Sequence, residues 1–249
     1  MFDQEMNTPT DNGYISDYLI HWTGKKGDKH GASILGTIAS TLRLFLSYNR
    51  LHLFDWSHEI HEKMVCFTDV PLRHSSEHCK RYGRFGISFQ KLKLMNVGAQ
   101  PVFYASHACK RDMDTIFHFL QEQVQHTTLP SDLFQALHRH FYFIQRLSDG
   151  RADGHDTFYY EREWRLGEQT LVPEEKLRRP NAKYWSQKEG YPPYTGQLVT
   201  EGDKSYFAFS REDVAFLIAP RNCHAKIENP HEFRIVAYED LVHEKHDEE

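Results

Sequence analysis

Glu161 and Glu163 stand two residues apart in the stretch TFYYEREWRLG, residues 157–167. The alternation there predicts a β-strand, with Phe158, Tyr160, Trp164 and Leu166 on one face and Tyr159, Glu161, Glu163 and Arg165 on the other. Like charges at this spacing on one strand face sit about 6–7 Å apart. Two accounts fit such a pair. On a solvated face, the charges pair with a neighbouring strand. In a site, one carboxylate bonds a substrate hydroxyl, while the other, its pKa raised by the like charge beside it, serves as a general base.

A second constellation is HWTG, His21 to Gly24. A strand-end histidine offers a ring donor, Thr23 a hydroxyl, and Gly24 a close approach to backbone, all usable by one ligand. The plain alternative is a structural histidine. The third is CFTDVP (66–71), where alternation sends Phe67 and Asp69 one way and Cys66, Thr68 and Val70 the other. Two basic, aromatic stretches, HCKRYGRF (78–85, with Arg81 and Arg84) and KLRRPNAKYW (176–185), have the residue types to hold phosphates and stack bases, or to form solvated surface. His58 with His61, His74 with His78, and His138 with His140 have spacings that a metal can use. No cysteine or carboxylate set completes a zinc pattern around them, so no metal is expected. The chain has no G-x-S-x-G, Walker or G-x-G-x-x-G motif, which leaves serine hydrolase, P-loop and Rossmann chemistries unsupported.

These residues need elements to position them. The pattern predicts a strand over 18–24, a polar glycine-bearing loop over 25–31, and an amphipathic helix over 32–48 built on Ile34, Leu35, Ile38, Leu42, Phe45 and Leu46. Strands follow at 63–72, 84–89 and 99–106, with a short helix or turn at 74–82. The span 112–147 holds two helical stretches around HTTLPSD, with Ser131 as a cap, and 147–156 is a loop. SYFAFSREDVAFLIAPR (205–221) gives two short strands around a polar turn, EGYPPYTG (189–196) a loop, and FRIVAYEDL (233–241) a last strand. Together they predict one α+β domain over residues 14–241, with a mixed or mostly antiparallel sheet flanked by helices. Residues 1–13 and 242–249 read as flexible tails.

With 39% hydrophobic residues in 249, the chain is globular rather than disordered. A net charge of −5 argues against a protein that coats nucleic acid, though not against a local basic groove. Cys66, Cys79, Cys109 and Cys223 show neither a C-x-x-C pair nor a disulfide framework, which suits a reducing, cytoplasmic compartment. The polar N-terminus lacks a signal-peptide core, and no apolar run approaches the roughly 18 residues of a membrane span. No membrane partner is expected.

In order, a strand-end His, an aromatic–Thr pair and E-x-E resemble the active-site pattern of the ADP-ribosyltransferase superfamily. More closely, YISDYLIHWTGK, MVCFTDVPL, YGRFGISF, PVFY, YEREWRL and VAFLIAPR look like the AbiGi-like family of abortive-infection, phage-resistance proteins, over roughly residues 14–240. The resemblance implies an ADP-ribosyltransferase-like split sheet and a toxin that uses NAD as substrate. In that scheme Glu163 bonds the ribose 2′-hydroxyl and stabilises the oxocarbenium-like state, and Glu161 prepares the acceptor. His21 holds the adenosine-side ribose, the Thr23–Gly24 backbone the nicotinamide amide, and Phe67 with Thr68 the nicotinamide ring. Arg81, Arg84 and Arg165 would bind the acceptor, nucleic acid (RNA or DNA), and a cognate antitoxin or regulator would restrain the enzyme. The family also includes members described as antitoxins, so the same resemblance allows a non-catalytic binding component of a two-gene system. A metal-dependent nuclease is a third reading.

Overall fold

The computed structural model describes residues 16–53, 58–105, 140–146, 159–168, 172–173 and 197–241, with scattered positions between 109 and 123. Its first half contains strand β1 (Tyr18–Thr23), helix α1 (Asp28–Thr41), β2 (Arg43–Phe45), β3 (Ser47–Leu53), β4 (His58–Thr68), α2 (Ser76–Tyr82), β5 (Phe85–Gln90), α3 (Lys91–Asn96), β6 (Gln100–Pro101) and β7 (Phe103–Ala105). Further on come β8 (Ile144–Arg146), β9 (Glu163–Gly167), β10 (Val172–Pro173), β11 (Gln197–Glu201), β12 (Lys204–Ala208), β13 (Val214–Ala219), β14 (Ile235–Ala237) and a last helical turn, α4 (Tyr238–Leu241). The class is α+β, with mixed pairing. Contacts gather the chain into two compact units: residues 1–42, 67–94 and 211–249 form the first, and 43–66 with 95–210 the second.

In the first unit the strands run in the order β14, β13, β5, β1, with the end of β4 beside β1. β1 and β5 are antiparallel, Ile20 opposite Ser88 and His21 opposite Ile87. β13 lies antiparallel on the other side of β5 and parallel to β14. β5 is buried from Phe85 to Phe89, as a central strand covered on both faces must be. On one face a Cβ added to Gly31 of α1 would lie 2.3 Å from the Phe85 ring, so only a glycine lets the helix settle there. On the other face Ile20, Trp22 and Ile218 pack with Cys79 of α2 and Tyr238 of α4.

The second unit contains the body of β4, with β3 antiparallel to it and β9 as its other neighbour. β6 pairs β9, Gln100 opposite Arg165 and Pro101 opposite Trp164. A separate sheet orders β10, β11, β12 and β2, and β7 pairs β8 in parallel. The Lys63 ammonium ties β4 to the β11–β12 hairpin through the Asp203 carbonyl (2.8 Å) and the Ser205 hydroxyl (3.1 Å).

Several boundaries differ from the sequence reading. Helix α1 ends at Thr41 rather than Tyr48: Leu42 turns left-handed (φ 54°), and Arg43–Phe45 pairs with β12 instead. The strand expected over 99–106 is two pieces, one on β9 and one on β8. The strand expected over 157–167 begins only at Glu163: Tyr159–Glu161 is a 3₁₀ turn, and Arg162 has φ 44°. Glu161 and Glu163 therefore do not share a strand face, and Tyr160, expected on the apolar side, is 67% exposed. HTTLPSD with Ser131, the loops at 147–156 and 189–196, KLRRPNAKYW and both tails lie outside the described residues.

Candidate functional site

In the second unit, the residues around Glu163 form a tight polar cluster. Arg165 follows Glu163 by two on β9, and the two side chains meet end to end. Arg165 Nε donates to Glu163 Oε1 at 3.0 Å, and Nη2 donates to Oε2 at 2.9 Å. Nη1 donates to the Tyr142 carbonyl (2.7 Å) and, more weakly, to that of Ile144 (3.3 Å). Only 2% of Arg165 is exposed. Burial pulls its pKa down, but the Glu163 charge and hydrogen bonds outweigh that and leave it above the ordinary arginine value. A fork matched to a carboxylate is the geometry that makes a buried arginine tolerable.

The start of β9 is fixed by its neighbours. The Glu163 amide donates to the Tyr104 hydroxyl (2.8 Å), and the Glu163 carbonyl accepts from the Val102 amide (2.9 Å). Burial, then the charges of Glu163 and Glu161, push the Tyr104 phenol well above its ordinary range, against the opposing hydrogen bond. The Cys66 thiol on β4 is likewise pushed up, first by burial and then by Glu163, with which it also hydrogen-bonds. Both carboxylates thus act on the same thiol and phenol, although they leave the backbone from a turn and a strand. The cluster holds protons tightly on Cys66 and Tyr104, and it holds the Glu163 side chain in place against Arg165.

The first unit carries the other expected residues. His21 and Phe67 come together, ring centroids 6.1 Å apart at 68°, with Phe67 in turn edge-on to Phe89 at 5.8 Å. Thr68, opposite Ile20, is on the other face of the sheet from Phe67, and its Oγ1 accepts the Val70 amide at 3.2 Å. Thr23 shares the face of His21 by alternation. Gly24 (φ 92°) is needed because a Cβ there would lie 2.7 Å from the Phe85 ring. Arg84 donates to both carboxylate oxygens of Asp28, 2.9 and 3.1 Å away, and lies over the Tyr238 ring. Arg81 stands over Tyr82.

Arg165, expected to touch an acceptor, is instead an interior residue whose donors are spent within the fold. Sequence reasoning named Cys66 without giving it a role, and missed Tyr104 and the Tyr142 and Ile144 carbonyls. Tyr104 had a faint signal as the last aromatic of PVFY. The carbonyls had none, because any residue type supplies them. Among the described residues no group of three or more His, Cys, Asp or Glu converges to hold a metal, and no helix is long and apolar enough to cross a membrane.

A family model described as "Putative abortive phage resistance protein AbiGi, antitoxin" matches residues 32–189. That span includes Phe67, Thr68, Arg81, Arg84, Glu161, Glu163 and Arg165, and begins after His21. No curated protein and no solved structure matches the chain.

Proposed function

This chain belongs to the AbiGi family of abortive phage resistance proteins, and from that premise we propose that it is the antitoxin of a two-component anti-phage system, a folded, non-catalytic protein that restrains a cognate toxin. Its family description as an antitoxin supports the assignment, and one structural observation carries it: the state of Glu163. A carboxylate that stabilises charge on a sugar must present an oxygen to the sugar hydroxyl. Both Glu163 oxygens are taken by Arg165. Releasing them would strand a buried guanidinium, at a cost of several kcal/mol.

A second reading is an ADP-ribosyltransferase acting on RNA or DNA with NAD as substrate, and the adjacency of His21 and Phe67 favours it. An imidazole beside an aromatic face suits a ribose hydroxyl and a nicotinamide ring. Glu163 would then have to exchange Arg165 for the ribose.

One assay separates the two. Full-length protein is incubated with labelled NAD, and RNA, DNA and lysate protein are offered in separate reactions. The antitoxin is expected to release no nicotinamide and to transfer no label, and its induced expression alone is expected to leave growth unchanged. Label transferred to RNA, DNA or protein by the folded chain would overturn it and establish the transferase.

A further inference from the structure

The first unit of this acidic protein carries an exposed basic surface. Lys25, Lys26, Lys29 and His30 are exposed at the β1–α1 loop and the first turn of α1, and Lys80, Arg81 and Arg84 at the end of α2 and just beyond. The two groups are brought together by a backbone contact. A Cβ on Gly83 (φ 108°) would lie 2.3 Å from the Thr23 carbonyl oxygen and 2.6 Å from the Lys25 nitrogen. The exit of α2 therefore rests directly on the backbone of the lysine loop. Arg84 adds a second tie, through Asp28 at the start of α1.

Two nearby acids are already matched, while Glu239 also acts on Arg84. Asp28 accepts from Arg84, and Glu77 from Lys80 at 2.8 Å. Lys25, Lys26 and Lys29 add exposed positive charge beside the end of α2. Tyr82, the residue before Gly83, is 37% exposed, with the Arg81 guanidinium 5.8 Å from its ring centroid.

We propose that this surface binds single-stranded nucleic acid, a property separate from the antitoxin assignment. The lysines neutralise phosphates, and Tyr82 receives an unpaired base. An acidic protein segment would use the cations alone. The exposed aromatic ring at the end of α2, next to the glycine that abuts the lysine loop, favours a base, and stacking requires a base outside a duplex. Arg84, whose fork best suits a carboxylate, is already engaged by Asp28. The remaining point charges on flexible stems suit a phosphate backbone.

The test is fluorescence anisotropy of the full-length chain with a labelled mixed-sequence RNA of ~20 nucleotides, titrated at several salt concentrations. Binding should weaken steeply with salt. In a Lys25→Ala/Lys26→Ala/Lys29→Ala variant the slope of log affinity against log salt should fall by about 2, since each phosphate contact contributes about 0.7 for single strands. Tyr82→Leu should weaken binding on the order of tenfold, and Tyr82→Trp should keep it. Each variant's thermal melt should match the parent's, because these side chains are exposed. An RNA anisotropy that stays unchanged as folded protein is added would overturn the proposal, as would a triple variant that binds like the parent. Displacement of the RNA by a poly-glutamate peptide as effectively as by unlabelled RNA would overturn it in favour of an acidic protein partner.

Discussion

Arg165 brings a permanent charge into the interior, and Glu163 with two carbonyls makes that possible. Removing either partner leaves the other unmatched. Glu163→Gln and Arg165→Met should each destabilise the protein by about 3–5 kcal/mol, and the double variant should cost less than the two singles together. Urea midpoints of the four proteins measure this; additive effects would mean that the pair is not coupled. Cys66 and Tyr104 set an alkaline limit. Both hold their protons more tightly when folded than their ordinary values of 9.0 and 10.0. Below those values both states keep the proton and the stabilisation is complete. Above them the unfolded chain releases protons that the native one retains, so stability falls as pH rises. Melting temperatures taken from about pH 8 to 10.5 should decline, less steeply in Cys66→Ala. The E-x-E spacing with Arg165 was legible in the sequence as a charged cluster. That the arginine points inward was not, because its remaining partners are backbone atoms some twenty residues earlier in the chain.

Elements are set by short-range chemistry in some places and by long-range pairing in others. β1, α2 and β5 were legible because their residues agree locally: β-branched and aromatic runs for the strands, and a glycine stop at Gly83 for the helix. The end of α1 was not legible, since Leu42 and Arg43 are good helix formers and only pairing with β12 pulls Arg43–Phe45 into a strand. The turn before β9 was hidden for a related reason. A left-handed backbone usually falls on glycine or asparagine, and here it falls on Arg162. Glycine positions give a test at this scale. Gly27 and Gly83 share the same strained φ, yet Gly27 has no atom within 4 Å of an added Cβ, whereas Gly83 meets three backbone atoms. Gly27→Ala should cost only the backbone strain, about 1–3 kcal/mol, and Gly83→Ala distinctly more. Equal denaturant midpoints for the two variants would mean that the contact at Gly83 is relieved at no cost.

At the scale of the whole molecule, the first unit is assembled from three separated chain segments, 1–42, 67–94 and 211–249. The α+β class was legible because both periodicities recur along the sequence, but this interleaving was not, since no linker or composition shift marks it. β13 lies between β5 and β14, with Leu217 and Ile218 fully buried. A chain truncated after Ser210 should lose cooperative unfolding of the first unit and aggregate through the uncovered edge of β5, as size-exclusion chromatography would report. A truncated chain that stays monomeric with a sharp melt would refute this.

The same interleaving has a consequence during synthesis. β1 and β5 leave the ribosome early, but their sheet stays open until β13 follows, on the order of ten seconds later at ordinary elongation rates. Folded first unit is thus produced only from chains extended past β14. Any arrest of translation stops its supply at once, while the copies already complete persist only as long as their own turnover allows.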